Sequence, residues 1–384
     1  MKMPTGFYHD ERCMWHSTGE QALFLPISGY LQPMSGGQSE NPETKRRFRN
    51  LLEVSGLAQK LDLRSADAAT AEDLLRIHTP GYLQRFKALS DAGGGAMAED
   101  SPFGRGGYEI AALSTGLVKR AVLDVLSGDL SNAYALSRPP GHHCLPDMAM
   151  GFCLFANIPV ALEAARAAHG PLRVAVVDWD VHHGNGTQTI YYHRADTLTI
   201  SLHQENCFPA FQGLISECGA GDGLGFNLNI PLLPGCGHQA YMDAFDLLVE
   251  PALRSFHPDL IVVACGLDAN GYDPLARMLA TSDTFRQMTA QLRSVASELC
   301  QDRLVIAHEG GYSEAVVPFC ALAVIEELSG IRTDVGDPFR VFLEENQPPP
   351  DMIAFQRARL ETQARQTTMP RAATSTSRTT TPLR

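Results

Sequence analysis

"VAVVDWDVHHGNG", residues 174–186, is the stretch whose reading decides the fold. Val174, Ala175, Val176 and Val177 form a continuous apolar run, the pattern of a parallel strand covered on both faces. Asp178, Asp180, His182 and His183 follow at once, and then Gly184 and Gly186. Carboxylates and imidazoles are costly to bury without partners. A strand this hydrophobic that ends in such groups is leaving its sheet where those groups meet something.

Outward from that stretch, strand-like and helical patterns alternate. "SNAYALS" (131–137) reads as a strand and "FANIPVALEAARAAH" (155–169) as an Ala-rich helix. Further strands are expected over 173–180, 197–204, 260–267 and 304–308. Helices are expected over 239–256, over 282–300 behind a Ser or Asp cap, and near 318–329. This order implies an α/β fold, a parallel sheet with helices on both faces. One catalytic domain is expected over residues 1–350, followed over 351–384 by a C-terminal helix and a Thr/Ser/Arg-rich tail. "RQTTMPRAATSTSRTTTPLR" (365–384) has no apolar periodicity and reads as a loosely packed tail. "DAGGGAMAEDSPFGRGG" (91–107) lacks the GxxxxGK[ST] phosphate signature and reads as a long surface loop near a functional rim.

The bulk numbers narrow the function class. The 384 residues are 44% hydrophobic and 19% charged, enough apolar material for a large core. The net charge of −12 argues against a nucleic-acid binder, which would usually present a basic face. Nine cysteines form no CxxC pair, and an odd number fits free thiols in a reducing compartment, not a disulfide framework or a cysteine zinc site. "MKMPTGFYHDERCMWH" offers no secretory h-region, and no apolar run is long enough to span a bilayer. A cytoplasmic protein without membrane or nucleic-acid partners is therefore expected; homo-oligomerisation stays open.

Four strands run into unusual chemistry: "RPPGHH" (138–143), "DWDVHHGNG", Asp268, and "EGGY" (309–312). In open α/β sheets, ligands bind outside the carboxyl ends of the strands, so these segments share one edge however far apart they lie in the chain. In an extended chain Asp178, Asp180 and His182 point to one side, and Trp179, Val181 and His183 to the other. Asp180, His182 and the distant Asp268 make a set of two carboxylates and one imidazole. Such carboxylates repel unless a cation sits between them, and three protein ligands with an open position is the catalytic zinc arrangement. His142 and His143 arrive on a loop as paired acid/base groups. Gly310 and Gly311 allow a sharp turn that brings the Tyr312 hydroxyl over the sheet edge as a donor to a developing oxyanion. Each segment alone reads equally as a satisfied turn, two surface histidines or a packed aromatic; their common edge separates the readings.

"RPPGHH", "DWDVHHGNG", "SLHQ", "GLDANGYDPLA" and "EGGY" together resemble the signature set of zinc-dependent histone deacetylases and their bacterial amidohydrolase relatives, from about residue 5 to about residue 345. Asn185 in "HHGNG" makes the likeness closer to class II than to class I. The resemblance implies an arginase/deacetylase-type three-layer fold with a central, mainly parallel eight-stranded sheet, one zinc per chain, and hydrolysis of an N-acyl amide. It implies zinc ligands Asp180, His182 and Asp268, catalytic His142, His143 and Tyr312, and supporting roles for Asp178 behind His142 and Asn185 beside His143. Gly151, Phe152 and Phe208 would form an apolar channel for a linear side chain, with Leu275 at its rim. A structural potassium would use the Asp178 and Ser201 side chains with carbonyls of Asp180, His182 and Leu202. Acyl-lysine-like substrates are favoured, because a polyamine enzyme would use an acidic gatekeeper where this chain has Leu275, although Glu205 in "HQENCFP" lies close in sequence to the rim. A binuclear manganese ureohydrolase and a non-catalytic acyl-lysine reader are the other readings; the first needs a second acidic set around "DWDVHHG", and the second would lack the Tyr312 hydroxyl. His183 is expected to point away and make a structural hydrogen bond.

Overall fold

The computed structural model describes residues 3–19, 21–23, 25–26 and 37–367. Residues 368–384 of the expected tail lie outside them. Eight strands form the main sheet: β1 (Thr5–Tyr8), β2 (Asp62–Arg64), β3 (Asn132–Ala135), β4 (Val174–Asp178), β5 (Thr197–Gln204), β6 (Asn227–Leu232), β7 (Leu260–Cys265) and β8 (Leu304–His308). Their order across the sheet is β6-β5-β4-β7-β8-β3-β1-β2, and every neighbouring pair is parallel. The expected mainly parallel sheet is therefore wholly parallel.

The centre of the sheet follows from side-chain chemistry. All residues of β4, β5, β7 and β8 are buried, and their Val, Ile, Leu and Ala content suits strands with helices on both faces. Helices Gly107–Ser127 and Asn157–His169 pack on each other, and so do Ser282–Leu299 and Val317–Ser329, which Glu43–Val54 joins. Gly107–Ser127 and Val317–Ser329 both touch β3. One continuous apolar core runs through sheet and helices.

Several boundaries differ from the sequence pattern for physical reasons. β4 ends at Asp178, because the Asp178 carboxylate accepts the Asp180 N–H (Oδ1, 3.0 Å) and turns the chain out of the ladder. The cap of Ser282–Leu299 is Thr281, not Ser282 or Asp283: its hydroxyl accepts the Thr284 N–H in a capping box. The helix expected over 239–256 relaxes into a π turn over Phe245–Val249 between two α segments. The segment 91–107 is not one long loop: Gly94–Ala96 and Pro102–Gly104 pair as a short antiparallel ribbon. β1, β2 and β6 are too short or too polar to stand out, and β6 carries Pro231 at the sheet edge, where a missing N–H is tolerated.

The C-terminal helix Pro350–Gln366 is docked on the body. Gln363 Nε2 donates to the Asn229 carbonyl of β6 (2.6 Å), Arg359 pairs with Glu205 (2.9 Å), and Leu360 is buried. No helix among the described residues is long and apolar enough to cross a membrane.

Buried His78 shows how the fold depends on pH. Its Nδ1 lies 3.1 Å from the Pro146 carbonyl, and its Nε2 accepts the Ala156 N–H at 3.0 Å, so both nitrogens are used by the neutral ring. Burial holds it down at about 4, against a usual value near 6.5. Because the unfolded ring takes up a proton first, this group costs stability as pH falls below about 6.5, until the folded ring also titrates. Between pH 7.5 and 5, His78→Gln is expected to shrink the loss of stability by about 2 kcal/mol relative to wild type. Denaturant melts at both pH values check this; an unchanged difference would contradict it.

Candidate active site

Strand ends set the site. β4 and β7 run side by side with Asp178 opposite Ala264, so the chain beyond each arrives together. There Asp180, His182 and Asp268, all buried, bring donor atoms within 4.8 Å of one another. His182 Nδ1 lies 3.0 Å from Asp180 Oδ1 and 3.1 Å from Asp268 Oδ2. Backbone N–H groups aim the carboxylates: His182 N–H donates to Asp180 Oδ1 (2.9 Å), Gly310 N–H to Asp180 Oδ2 (2.9 Å) and Val181 N–H to Asp268 Oδ1 (2.9 Å). Asp268 Oδ2 has His182 Nδ1 as its neighbour, at 3.1 Å, and no backbone N–H aimed at it.

The electrostatics call for positive charge at this point. Burial lowers the affinity of His182 for a proton, but Asp180 and Asp268 overcome it and raise the ring well above its usual value. Asp268 is itself pushed up, by burial and then by Asp180. A divalent cation between these donors would answer the same demand. Oxygen and nitrogen donors of this kind suit a Lewis-acidic metal. Space is kept for the carboxylates, since a Cβ on Gly310 would lie 2.2 Å from Asp268 Oδ2 and 2.6 Å from Asp180 Oδ2.

The histidine pair stands beside that point. Arg138, fully buried, opens its loop and is tied to Glu40 Oε1 (3.0 Å) and to the His16 carbonyl (2.9 Å). Glu309 Oε2 accepts the Gly141 N–H (2.6 Å) and the His142 N–H (3.2 Å), which fixes the turn itself. His142 Nδ1 lies 3.0 Å from Asp178 Oδ2, and His143 Nδ1 lies 2.8 Å from Asn185 Oδ1. The two rings are 3.9 Å apart, yet they are held in opposite states. For His142, burial opposes the charge, but Asp180 and Asp178 raise it to about 10. For His143, burial and then the charges of His142 and His182 lower it well below the usual range. With Asn185 accepting from Nδ1–H, the remaining nitrogen of neutral His143 carries a free lone pair.

Aromatic side chains wall this group. Phe208 lies edge-on to His143 (5.0 Å between ring centres) and 6.2 Å from His182, while Phe152 meets Tyr312 at 5.8 Å. The Tyr312 ring lies 6.3 Å from His182. Burial, and then Asp268, raise its hydroxyl well above the usual range, so it is a proton donor. Gly151 passes so close to His143 that a Cβ would lie 2.3 Å from its Cδ2. Leu275, half-buried, is bound through its N–H to Asp273 Oδ1 (2.9 Å). Ser201 is the register partner of Asp178 on β5, with Leu202 next to it; its hydroxyl hydrogen-bonds His203 Nδ1 (2.9 Å). His183 faces away from the group: its Nε2 lies 3.0 Å from Gln188 Oε1 and its ring packs on His203.

Sequence reasoning assigned no role to Glu309 or Asp273, although both lie inside quoted motifs. The Gly141 and His142 N–H groups that Glu309 holds, and the Tyr312 N–H that Asp273 holds, come from loops distant in the chain, and no local spacing signals them. It also left Glu205 near the rim, where the Arg359 ion pair engages it. His142, Cys153 and Glu309 form another group of potential donors within 4.8 Å, but Asp178 already holds His142 Nδ1 and two N–H groups hold Glu309 Oε2.

Comparison with known proteins follows the same lines. The histone deacetylase domain family matches residues 38–328. A histone deacetylase-like amidohydrolase of Pseudomonas aeruginosa is 60% identical over 367 residues, covering 95% of this chain and 97% of the relative. A probable deacetylase of Archaeoglobus fulgidus is 36% identical over 296 residues, 76% of this chain and 82% of the relative. The crystal structure of the HDA15 HD domain superposes with a TM-score of 0.78 at 30% identity, covering 94% of this chain and all of that one.

Gly310→Ala is expected to leave the fold intact and weaken divalent-cation binding at least about tenfold, because the methyl group displaces both carboxylates. Equilibrium dialysis against zinc checks this; wild-type affinity would contradict it.

Proposed function

Because the chain belongs to the histone deacetylase family, whose members include histone deacetylase-like amidohydrolases, we propose that it is a zinc-dependent deacetylase acting on acyl-lysine-like amides. The observation that carries this reading is the convergence of the buried donor atoms of Asp180, His182 and Asp268 within 4.8 Å of one another. These three side chains would hold the zinc, which supplies Lewis acidity toward water and the acyl carbonyl. Asp178 and Ser201, with carbonyls of Asp180, His182 and Leu202, are the proposed potassium ligands.

The roles of the protein groups follow from their protonation. His143, neutral and with Nδ1–H turned to Asn185, accepts the proton of the attacking water at Nε2 and returns it to the leaving amine. His142, hydrogen-bonded at Nδ1 to Asp178, stabilises negative charge that develops beside it. Tyr312 donates its hydroxyl hydrogen to the acyl oxygen. Gly151, Phe152 and Phe208 line the approach of a linear apolar chain, which ends at Leu275. Leu275 is apolar and Glu205 is paired with Arg359, which supports a lysine side chain over a polyamine carrying a second ammonium.

Tyr312→Phe is expected to keep the metal and lose about 10²–10³-fold in kcat on an acetyl-lysine peptide; near wild-type turnover would contradict the role of the hydroxyl. Across acetyl-lysine peptides, longer acyl-lysines, acetylputrescine and acetylspermidine, kcat/KM is expected to be highest on a lysine substrate. A polyamine at the top of that panel would overturn the substrate assignment.

A further inference from the structure

The buried carboxylate of Asp273 lies outside the set just described, yet it joins two of its parts. Asp273 is 7% exposed. Its Oδ2 accepts the Tyr312 N–H at 2.8 Å, and its Oδ1 accepts the Leu275 N–H at 2.9 Å. One side chain thereby ties the backbone of the "EGGY" loop to the rim of the "GLDANGYDPLA" loop. Within its own loop, the Asp273 N–H donates to the Asn270 carbonyl (3.1 Å), Asn270 Oδ1 accepts the Tyr272 N–H (3.0 Å), and Asn270 Nδ2 donates to the Leu267 carbonyl (2.6 Å). The segment that supplies Asp268 is therefore stiff, and Asp273 extends that stiffness across to Tyr312.

A third acidic side chain buried near Asp268 is expensive, because burial and the neighbouring carboxylate both oppose its charge. Packing alone would be met by an apolar residue of similar size. What the carboxylate adds is two aimed acceptors. Gly311, at φ 121°, leaves the backbone before Tyr312 without a side chain to hold it, so the N–H bond to Asp273 is the direct polar restraint on where the tyrosine ring begins.

The geometry points to Asp273 as a positioning residue: it sets the Tyr312 hydroxyl at the acyl carbonyl and couples that placement to the channel rim at Leu275. This rests on the proposed role of Tyr312. A group that acts through Tyr312 has little left to act on once the hydroxyl is gone, whereas a residue that only supports the fold lowers activity in either background.

The test is a double-mutant cycle on a trifluoroacetyl-lysine peptide, whose electrophilic carbonyl leaves turnover measurable in weak variants. Asp273→Asn is expected to lower kcat about tenfold with KM changed less than about twofold, at unchanged zinc content. Added to Tyr312→Phe, the same change is expected to cost less than about twofold. Losses that multiply, or wild-type kcat in Asp273→Asn, would overturn the inference. If Asp273→Asn fails to fold or to hold zinc, Asp273→Ser, which keeps one small acceptor, reads the same cycle with the same outcomes. Wild-type turnover in Tyr312→Phe alone would instead sink the reading of the site on which this inference depends.

Discussion

Two carboxylates, Asp180 and Asp268, lie side by side with no exposure to solvent, and the rest of the site is arranged around that constraint. Neither could be tolerated there alone and charged. Backbone N–H groups take three of their oxygens, and His182 faces both carboxylates, lying 3.0 Å from Asp180 Oδ1 and 3.1 Å from Asp268 Oδ2. The parallel pairing of β4 with β7 is what brings them together, so the sheet register and the chemistry are one requirement. The same negative charge propagates outward. It raises the proton affinity of His142 against the opposing effect of burial, while burial, and then the charges of His142 and His182, lower that of His143. Two adjacent identical side chains thus acquire different states from their surroundings alone.

Much of this was legible in the sequence, because two simple rules coincide. Valine-rich runs mark strands buried on both faces, and ligand groups gather beyond their carboxyl ends. "RVAVVDWD", "LIVVACGLD" and "LVIAHEGGY" each obey both rules, which is why a common edge could be read from segments well separated in the chain. β5 was readable to the residue as Thr197–Gln204, its apolar and β-branched run "TLTI" followed by Leu202 marking the strand.

What escaped has equally physical reasons. β1 and β2 are only four and three residues long and owe their pairing to the sheet beside them, not to their own pattern. The end of β4 depended on a side-chain-to-backbone hydrogen bond from Asp178 that periodicity does not encode. Glu309 holds the N–H groups of Gly141 and His142, and Asp273 holds that of Tyr312, in loops they do not belong to, and a contact between distant loops leaves no spacing to read. Arg138 is similar: it opens "RPPGHH" with no role legible in the motif, yet it is buried and anchors the histidine loop to Glu40 and to the N-terminal segment.

The central claim is that the paired aspartates and His182 hold a single divalent ion. Its most direct test is the metal content of the purified wild-type protein, measured by mass spectrometry, with the ion located by anomalous scattering at the zinc edge. The account predicts one zinc per chain between Asp180, His182 and Asp268. Two metal ions per chain, or full turnover in protein stripped of metal, would contradict it.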